Sequence, residues 1–131
     1  MLTRAELRKI ARARFADAKA LFQSGRYDGA VYLCGYAVEL ALKARICRTL
    51  KWSGFPESRK EFEGLQSFRV HDLEILLHLS GIAPRVRTQH MVSWSVVAKW
   101  DPESRHNRVG TANRSDAQLM INETKPLLEI L

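Results

Sequence analysis

The sequence predicts an all-α protein, an up-and-down bundle of four to five helices that forms a single domain over residues 1–131. Three observations support this prediction. Five segments have apolar residues at three- and four-residue spacing, no convincing pair of strands is present, and the 131 residues include only 7 Gly and 4 Pro. The segment 26–44, RYDGAVYLCGYAVELALKA, is apolar on nearly every side, so we expect it to be the central helix that the others cover.

The first helix is expected over Thr3–Gln23. Thr3 and Glu6 have the spacing of a capping box, in which each side chain bonds the backbone N–H of the other residue. Apolar residues then recur at helical spacing until Ser24 and Gly25 end the segment.

The second helix is expected from about Asp28, as its N-cap, to Leu50. Glu39 and Lys43 form an acid-to-base pair four residues apart. These charges interrupt the apolar run before it reaches the roughly 20 residues that a membrane span requires. The segment is therefore predicted to be the buried helix of a bundle, and no membrane association is expected.

The segment 51–70 is predicted to be a connector with one helical turn, because Gly and Pro residues interrupt any long period. A third helix follows, with Asp72 as its N-cap and Gly81 at its end. His71 lies beside the cap, and we interpret it as part of the helix start rather than as half of an acid–base pair.

A fourth helix is predicted from about Arg85 to Trp100, with a strand as the minor alternative because of its β-branched residues. The polar segment 101–114 is predicted to be a loop. Ser115 and Gln118 then have capping-box spacing for a last helix that continues to the end of the chain.

The cysteines and the N-terminal segment indicate the compartment. Cys34 and Cys47 lie on one predicted helix about 20 Å apart, which is too far for a disulfide, so we expect free thiols and a reducing environment. Residues 2–19 carry several Arg and do not resemble a secretory leader. The expected location is the cytoplasm.

The formal net charge of +7 is concentrated in the first two helices. Residues 1–52 hold eleven Lys or Arg against four Asp or Glu, whereas residues 53–131 hold ten of each. On the outer side of the first helix, Arg4, Arg8 and Arg12 form a basic stripe about 12 Å long that can follow a phosphate backbone. Such a field attracts nucleic acid or an acidic protein, although a solvated basic face gives the same pattern.

No metal or cofactor is predicted. The two Cys lack a CxxC partner, no Gly-rich phosphate loop is present, and no histidine pair has HExxH spacing. The histidines are His71, His78, His90 and His106. Metalloenzyme and NTPase interpretations are therefore disfavoured. No Gly-x-Ser-x-Gly nucleophile motif occurs, but a Ser/His/Asp triad stays open because its members can come from any part of the chain.

Several short motifs follow one another along nearly the whole chain. They are Ala18-x-x-Leu21, Gly25-Arg26-Tyr27-Asp28, Ala37-Val38-Glu39-x-x-Leu42-Lys43-Ala44, His71-Asp72-Leu73, and Trp94 and Trp100 ahead of Arg105. In this order they resemble the HEPN family of small helical-bundle proteins. The resemblance implies a homodimeric bundle, frequently encoded beside a minimal nucleotidyltransferase, that serves in toxin–antitoxin or defence systems. It also implies that active members are metal-independent ribonucleases with an Arg-x(4 to 6)-His motif just before the last helix.

The sequence departs from that ribonuclease motif. Arg105 occupies the position of the family's arginine, but residues 110–112 are Gly, Thr and Ala where the histidine is expected, and His106 comes too early. Arg85 and His90 match the spacing, but chance alone accounts for such a pair. Metal-free RNA cleavage needs a general base as well as a cation, and Arg is a poor proton acceptor.

The sequence therefore predicts a non-catalytic HEPN-like homodimer that binds nucleotide, RNA or a partner protein such as a minimal nucleotidyltransferase. The binding residues expected are Arg4, Arg8, Arg12, Arg105 and Arg108. The alternative is a metal-independent ribonuclease toxin that uses Arg105 or Arg85 with a nearby histidine, His106 or His90. A purely structural interaction module is a third hypothesis, and the large apolar helix favours it.

Four aromatic residues have structural interpretations. Trp94 and Trp100 are expected to be core or interface residues rather than platforms for base stacking. Tyr32 and Tyr36 lie on one side of the second helix and are expected to be packed.

Overall fold

The computed structural model describes residues 1–131 and confirms the all-α class. The helices are α1 (Arg4–Gln23), α2 (Tyr27–Leu50), α3 (Leu73–Ser80), α4 (Ala83–Gln89), α5 (Met91–Val97) and α6 (Arg114–Ile130). Two-residue strands β1 (Leu2–Thr3) and β2 (Gly54–Phe55) pair antiparallel, and 3-10 turns lie at Gln66–Phe68 and Pro102–His106. The sequence did not predict the strand pair, because two residues are too few to show alternation.

Helix α2 is the centre of the bundle, as predicted. It packs against α1, α3 and α6, and 12 of its 24 residues are buried on several sides of the helix. Cys34 and Cys47 are buried free thiols, and burial raises the pKa of Cys34 to about 12. No helix is long and apolar enough to cross a bilayer.

Two of the predicted caps are present. The backbone N–H of Glu6 donates to Thr3 Oγ1 at 3.2 Å, and that of Thr3 donates to the Glu6 carboxylate at 2.7 Å, which completes the capping box of α1. Asp72 caps α3 by accepting from the Ile75 N–H at 3.1 Å. Ser24 and Gly25 follow α1, and Gly81 follows α3, as the sequence predicted.

The prediction that Asp28 is the N-cap of α2 is wrong. The helix begins at Tyr27, and Arg26 occupies the cap position without a side-chain bond. The carboxylate of Asp28 instead accepts the backbone N–H groups of Gly110 at 2.6 Å and Ala112 at 2.7 Å. Because these two donors from the distant loop occupy its oxygens, Asp28 joins the loop before α6 to the start of α2.

The fourth helix predicted over 85–100 is two helices, so the bundle has six helices rather than four to five. The chain leaves helical geometry at His90, with φ −132° and ψ 37°, which separates α4 from α5. Beyond this break, Trp94 is buried, and its indole N–H donates to Glu74 of α3 at 2.7 Å. Trp94 is therefore a core residue, as expected.

The start of the last helix also differs from the prediction. Its capping box joins Asn113 and Asp116 rather than Ser115 and Gln118, with the Asp116 N–H donating to the Asn113 side chain at 2.8 Å. Asn113 has extended backbone geometry, as an N-cap residue requires. Ser115 consequently lies inside the first turn of α6.

Candidate functional site

An open cleft of about 450 Å³ lies between α2, residues 55–71 and the 3-10 turn Pro102–His106. This volume is within the range of small-molecule sites, roughly 300–1,000 Å³. The cleft combines aromatic rings with cationic and anionic side chains. Its lining includes Tyr32, Tyr36, Glu39, Lys43, Arg69, His71, Trp100, Glu103 and Arg105.

Gly35 positions the main aromatic ring of this cleft. A Cβ atom at Gly35 would clash with the indole of Trp100, so glycine is what allows the ring to lie against α2. The centroid of Trp100 is 5.9 Å from that of Tyr32, and the nearly parallel rings of Tyr32 and Tyr36 have centroids 6.4 Å apart. Both tyrosines and Trp100 are only partly buried and line the cleft. Tyr36 and Trp100 also pack against the hydrophobic core, whereas Tyr32 packs against these two rings.

Arg105 reaches the cleft through the 3-10 turn that follows Trp100. Asp101 begins this turn by accepting from the Glu103 N–H at 2.9 Å. The Arg105 guanidinium donates to the Pro102 carbonyl at 2.9 Å and lies 3.6 Å from the Glu103 carboxylate. Its side chain remains 50% exposed, which leaves further N–H groups to meet an anion.

A buried carboxylate lies in the same cleft. Glu39 is 3% exposed and accepts from Lys43 Nζ at 3.0 Å, which confirms the predicted pairing along α2. The same Glu39 oxygen lies 3.1 Å from Nδ1 of His71, whose side chain is 65% exposed. With Nδ1–H donating to Glu39, Nε2 is the ring nitrogen of His71 that has a lone pair to accept a hydrogen bond.

The contact of His71 with Glu39 is the feature of the cleft that the sequence analysis missed, because His71 was interpreted as part of the start of α3. Asp72 alone caps α3, while His71 bonds to Glu39, 32 residues away. A signal was present in the sequence, because a carboxylate in an otherwise apolar helix requires partners once it is buried. Lys43 was identified as one such partner, and His71 is the second.

The predicted binding arginines do not form one group. Arg105 alone among them lines the cleft, and Arg108 is exposed on the loop before α6. Arg4 and Arg8 are partly buried on α1, and Arg12 is exposed.

Among the other residues considered for catalysis, Arg85 and His90 are not bonded to each other, whereas His106 shares a carboxylate with Arg105. Arg85 donates to Gln89 at 3.4 Å and does not bond to His90, which lies at the break between α4 and α5. His106 lies 3.7 Å from the Glu103 carboxylate, which also contacts Arg105. His106 is not among the residues that line the cleft.

The HEPN domain family model matches residues 5–57, which cover nearly all of α1, all of α2 and the strand β2. No curated protein and no solved structure shows a significant match to the chain. The matched segment contains the central helix with Gly35, Glu39 and Lys43, whereas His71, Trp100 and Arg105 lie outside it. The match confirms that the chain resembles the HEPN family, and it locates that resemblance in the first two helices.

Proposed function

We propose that the cleft binds a nucleotide unit, either as a free nucleotide or within single-stranded RNA. The observation that carries this proposal is that the rings of Tyr32 and Trp100 line the same cleft as the half-exposed guanidinium of Arg105. Unpaired bases stack on Trp and Tyr rings without strict sequence preference, and Arg binds phosphate oxygens through a planar pair of N–H donors. Trp100 and Tyr32 contact the base, and Arg105 contacts the phosphate.

The HEPN resemblance supports a biological setting for this binding. We propose a homodimer in the cytoplasm that works with a minimal nucleotidyltransferase in a toxin–antitoxin or defence system. Light scattering of the purified protein tests the dimer, and co-purification with a neighbouring nucleotidyltransferase tests the partner.

Binding is tested by calorimetric titration with AMP and with a short single-stranded RNA at low salt. Arg105→Gln removes the phosphate contact and should weaken both ligands about 10- to 150-fold, since a charge-assisted hydrogen bond contributes roughly 1.5–3 kcal/mol. Arg59→Gln is the matched control, because Arg59 is exposed and does not line the cleft. Failure of both ligands to bind, or an equal loss in the control, would refute the proposal.

A second function is favoured by the contact between His71 and Glu39. Here His71 is the general base that removes the proton from an RNA 2′-hydroxyl, Glu39 orients its ring, and Arg105 stabilises the charge that develops on the phosphate. The 2′-oxygen bonds to the adjacent phosphorus and gives a 2′,3′-cyclic phosphate, while the bond from phosphorus to the 5′-oxygen breaks and that oxygen takes a proton from water. RNA incubated with the protein in EDTA decides between the two functions. Cleavage that persists in EDTA and disappears in His71→Gln supports the ribonuclease, whereas intact RNA supports binding alone. His106→Gln, His90→Gln and Arg85→Gln test the other residues considered for catalysis.

A further inference from the structure

Arg45 of α2 has arginines of three helices around it, and none of these arginines lines the cleft. We call six residues the arginine cluster: Arg4, Arg8 and Arg12 of α1, Arg45 and Arg48 of α2, and Arg85 of α4. Burial lowers the pKa of Arg45, and the positive charges of Arg48, Arg85, Arg4 and Arg8 lower it further. Arg8 and Arg12 also line one small cavity beside Ala41, which lies one helical turn before Arg45 on α2.

The fold brings Arg85 to this cluster through the corner between α3 and α4. Thr49, in the last turn of α2, donates its hydroxyl to the Ser80 carbonyl at 2.5 Å. Gly81 follows with φ +80°, and a Cβ atom there would lie 2.8 Å from the Thr49 methyl group. The close approach of this corner to Thr49 holds the start of α4 near the end of α2, and Arg85 of α4 is close enough to act on Arg45.

The charge of the cluster is not neutralised within the protein. None of its six arginines lies within 4.0 Å of a carboxylate, whereas Arg14, Arg87 and Arg105 each form an ion pair. Nε of Arg45 is buried without a hydrogen-bond partner. A guanidinium with four like charges around it is electrostatically unfavourable, and an anion at the cluster would relieve the repulsion.

The cluster and the cleft lie on opposite sides of α2. Tyr36 in the cleft and Arg45 in the cluster are nine residues apart, which at about 100° per residue is two and a half turns of the helix. The two side chains therefore point in opposite directions. The stripe from Arg4 to Arg12 alone is about 12 Å long, so the surface is longer than a single phosphate group requires.

We propose that the arginine cluster binds the sugar–phosphate backbone of single-stranded RNA without reading its sequence. The six side chains are all guanidinium groups, which bind phosphate oxygens and carry the sequence-independent part of nucleic-acid affinity. The cluster is a separate site from the cleft, and its binding does not require that the cleft hold a nucleotide.

The test is the salt dependence of binding to a labelled single-stranded RNA about 20 nucleotides long, measured by fluorescence anisotropy. The variant Arg8→Gln/Arg48→Gln/Arg85→Gln removes three arginines, one from each helix. Each lost phosphate contact reduces the slope of log K against log salt by about 0.7 for a single strand, so the expected reduction is about 2. Affinity at low salt should fall at least tenfold.

The matched control is Arg26→Gln/Arg59→Gln/Lys125→Gln, which removes the same charge at exposed positions outside the cluster. Its salt slope should change by much less than that of the cluster variant. Equal losses in both variants would mean that only net charge matters and would overturn the proposal, as would an unchanged slope in the cluster variant. The single variant Arg48→Gln changes one exposed residue, so it should fold even if the triple variant does not. It should lower the slope by about 0.7.

Two further outcomes separate this proposal from the function of the cleft. AMP should bind the cluster variant as tightly as the unmodified protein, because AMP occupies the cleft alone. If the unmodified protein binds the long RNA but not AMP, the proposal for the cluster is supported and the proposed function of the cleft is refuted. Binding of an acidic polypeptide in place of RNA would overturn the cluster proposal and favour an acidic protein partner.

Discussion

At the scale of single residues, the cleft depends on contacts between distant parts of the chain. The sequence showed that Glu39 and Lys43 pair, because they lie four residues apart on one helix. It did not show that His71 joins them, since no local pattern links residues 32 positions apart. The sequence also did not predict that Trp100 packs against Gly35. Gly35 is only one of several small residues in the second helix, and no local pattern links it to Trp100.

Substitution of Gly35 should therefore act against the usual preference of helices. Replacing a helical glycine by alanine normally stabilises a protein by up to about 1 kcal/mol. Gly35→Ala should instead lower the free energy of unfolding by about 1–3 kcal/mol, because the new methyl group displaces the Trp100 indole. Denaturant unfolding measures the change, and AMP affinity should fall with it.

Gly29→Ala is the control for this substitution on the same helix. The nearest atom to a Cβ there is the flexible end of Leu21, at 3.0 Å, which can move aside. A loss of stability in Gly29→Ala as large as in Gly35→Ala would contradict the assigned role of Gly35.

At the scale of elements, the sequence predicted the helix ends that depend on local hydrogen bonds. Thr3 with Glu6, and Asp72 with Ile75, are caps within a span of three residues, and both are present. Asp28 is also a favoured N-cap residue type at the start of a predicted helix. Its partners, however, are backbone groups 82 and 84 residues away. Tertiary contacts therefore override a cap preference that contributes only about 1 kcal/mol.

The bond from Asp28 to the loop gives stability a dependence on pH. The N–H groups of Ala112 and Gly110 hold the pKa of the Asp28 carboxyl below its usual value of about 3.9. This stabilisation is complete above the unfolded-state pKa and is lost as pH falls through the lower folded-state pKa. The stability advantage of the unmodified protein over Asp28→Asn should therefore be constant near neutral pH and shrink below about pH 4.

Denaturant unfolding of both proteins across this pH range measures that difference. Glu6 and Glu61, whose pKa values are also lowered by hydrogen bonds, are common to both proteins and cancel in the comparison. An advantage that grows as the pH falls would contradict the role assigned to Asp28.

At the scale of the whole molecule, the sequence predicted the all-α class and a central buried helix correctly. It also predicted that positive charge would be concentrated in the first two helices, and Arg4, Arg8 and Arg12 are part of that charge. Only the packed bundle adds Arg85 to these residues and separates them from Arg105. One expected binding surface thus becomes two candidate surfaces on opposite sides of α2, one aromatic and cationic and the other purely cationic.

The most direct test of the central claim is an NMR titration of the isotope-labelled protein with a short single-stranded RNA in EDTA. The account predicts that the largest chemical-shift changes occur at Tyr32, His71, Trp100 and Arg105, the residues of the cleft. Changes confined to the arginine cluster would show that phosphate attraction acts without the cleft. Unchanged spectra at saturating RNA, or shifts only at residues outside both surfaces, would contradict the account.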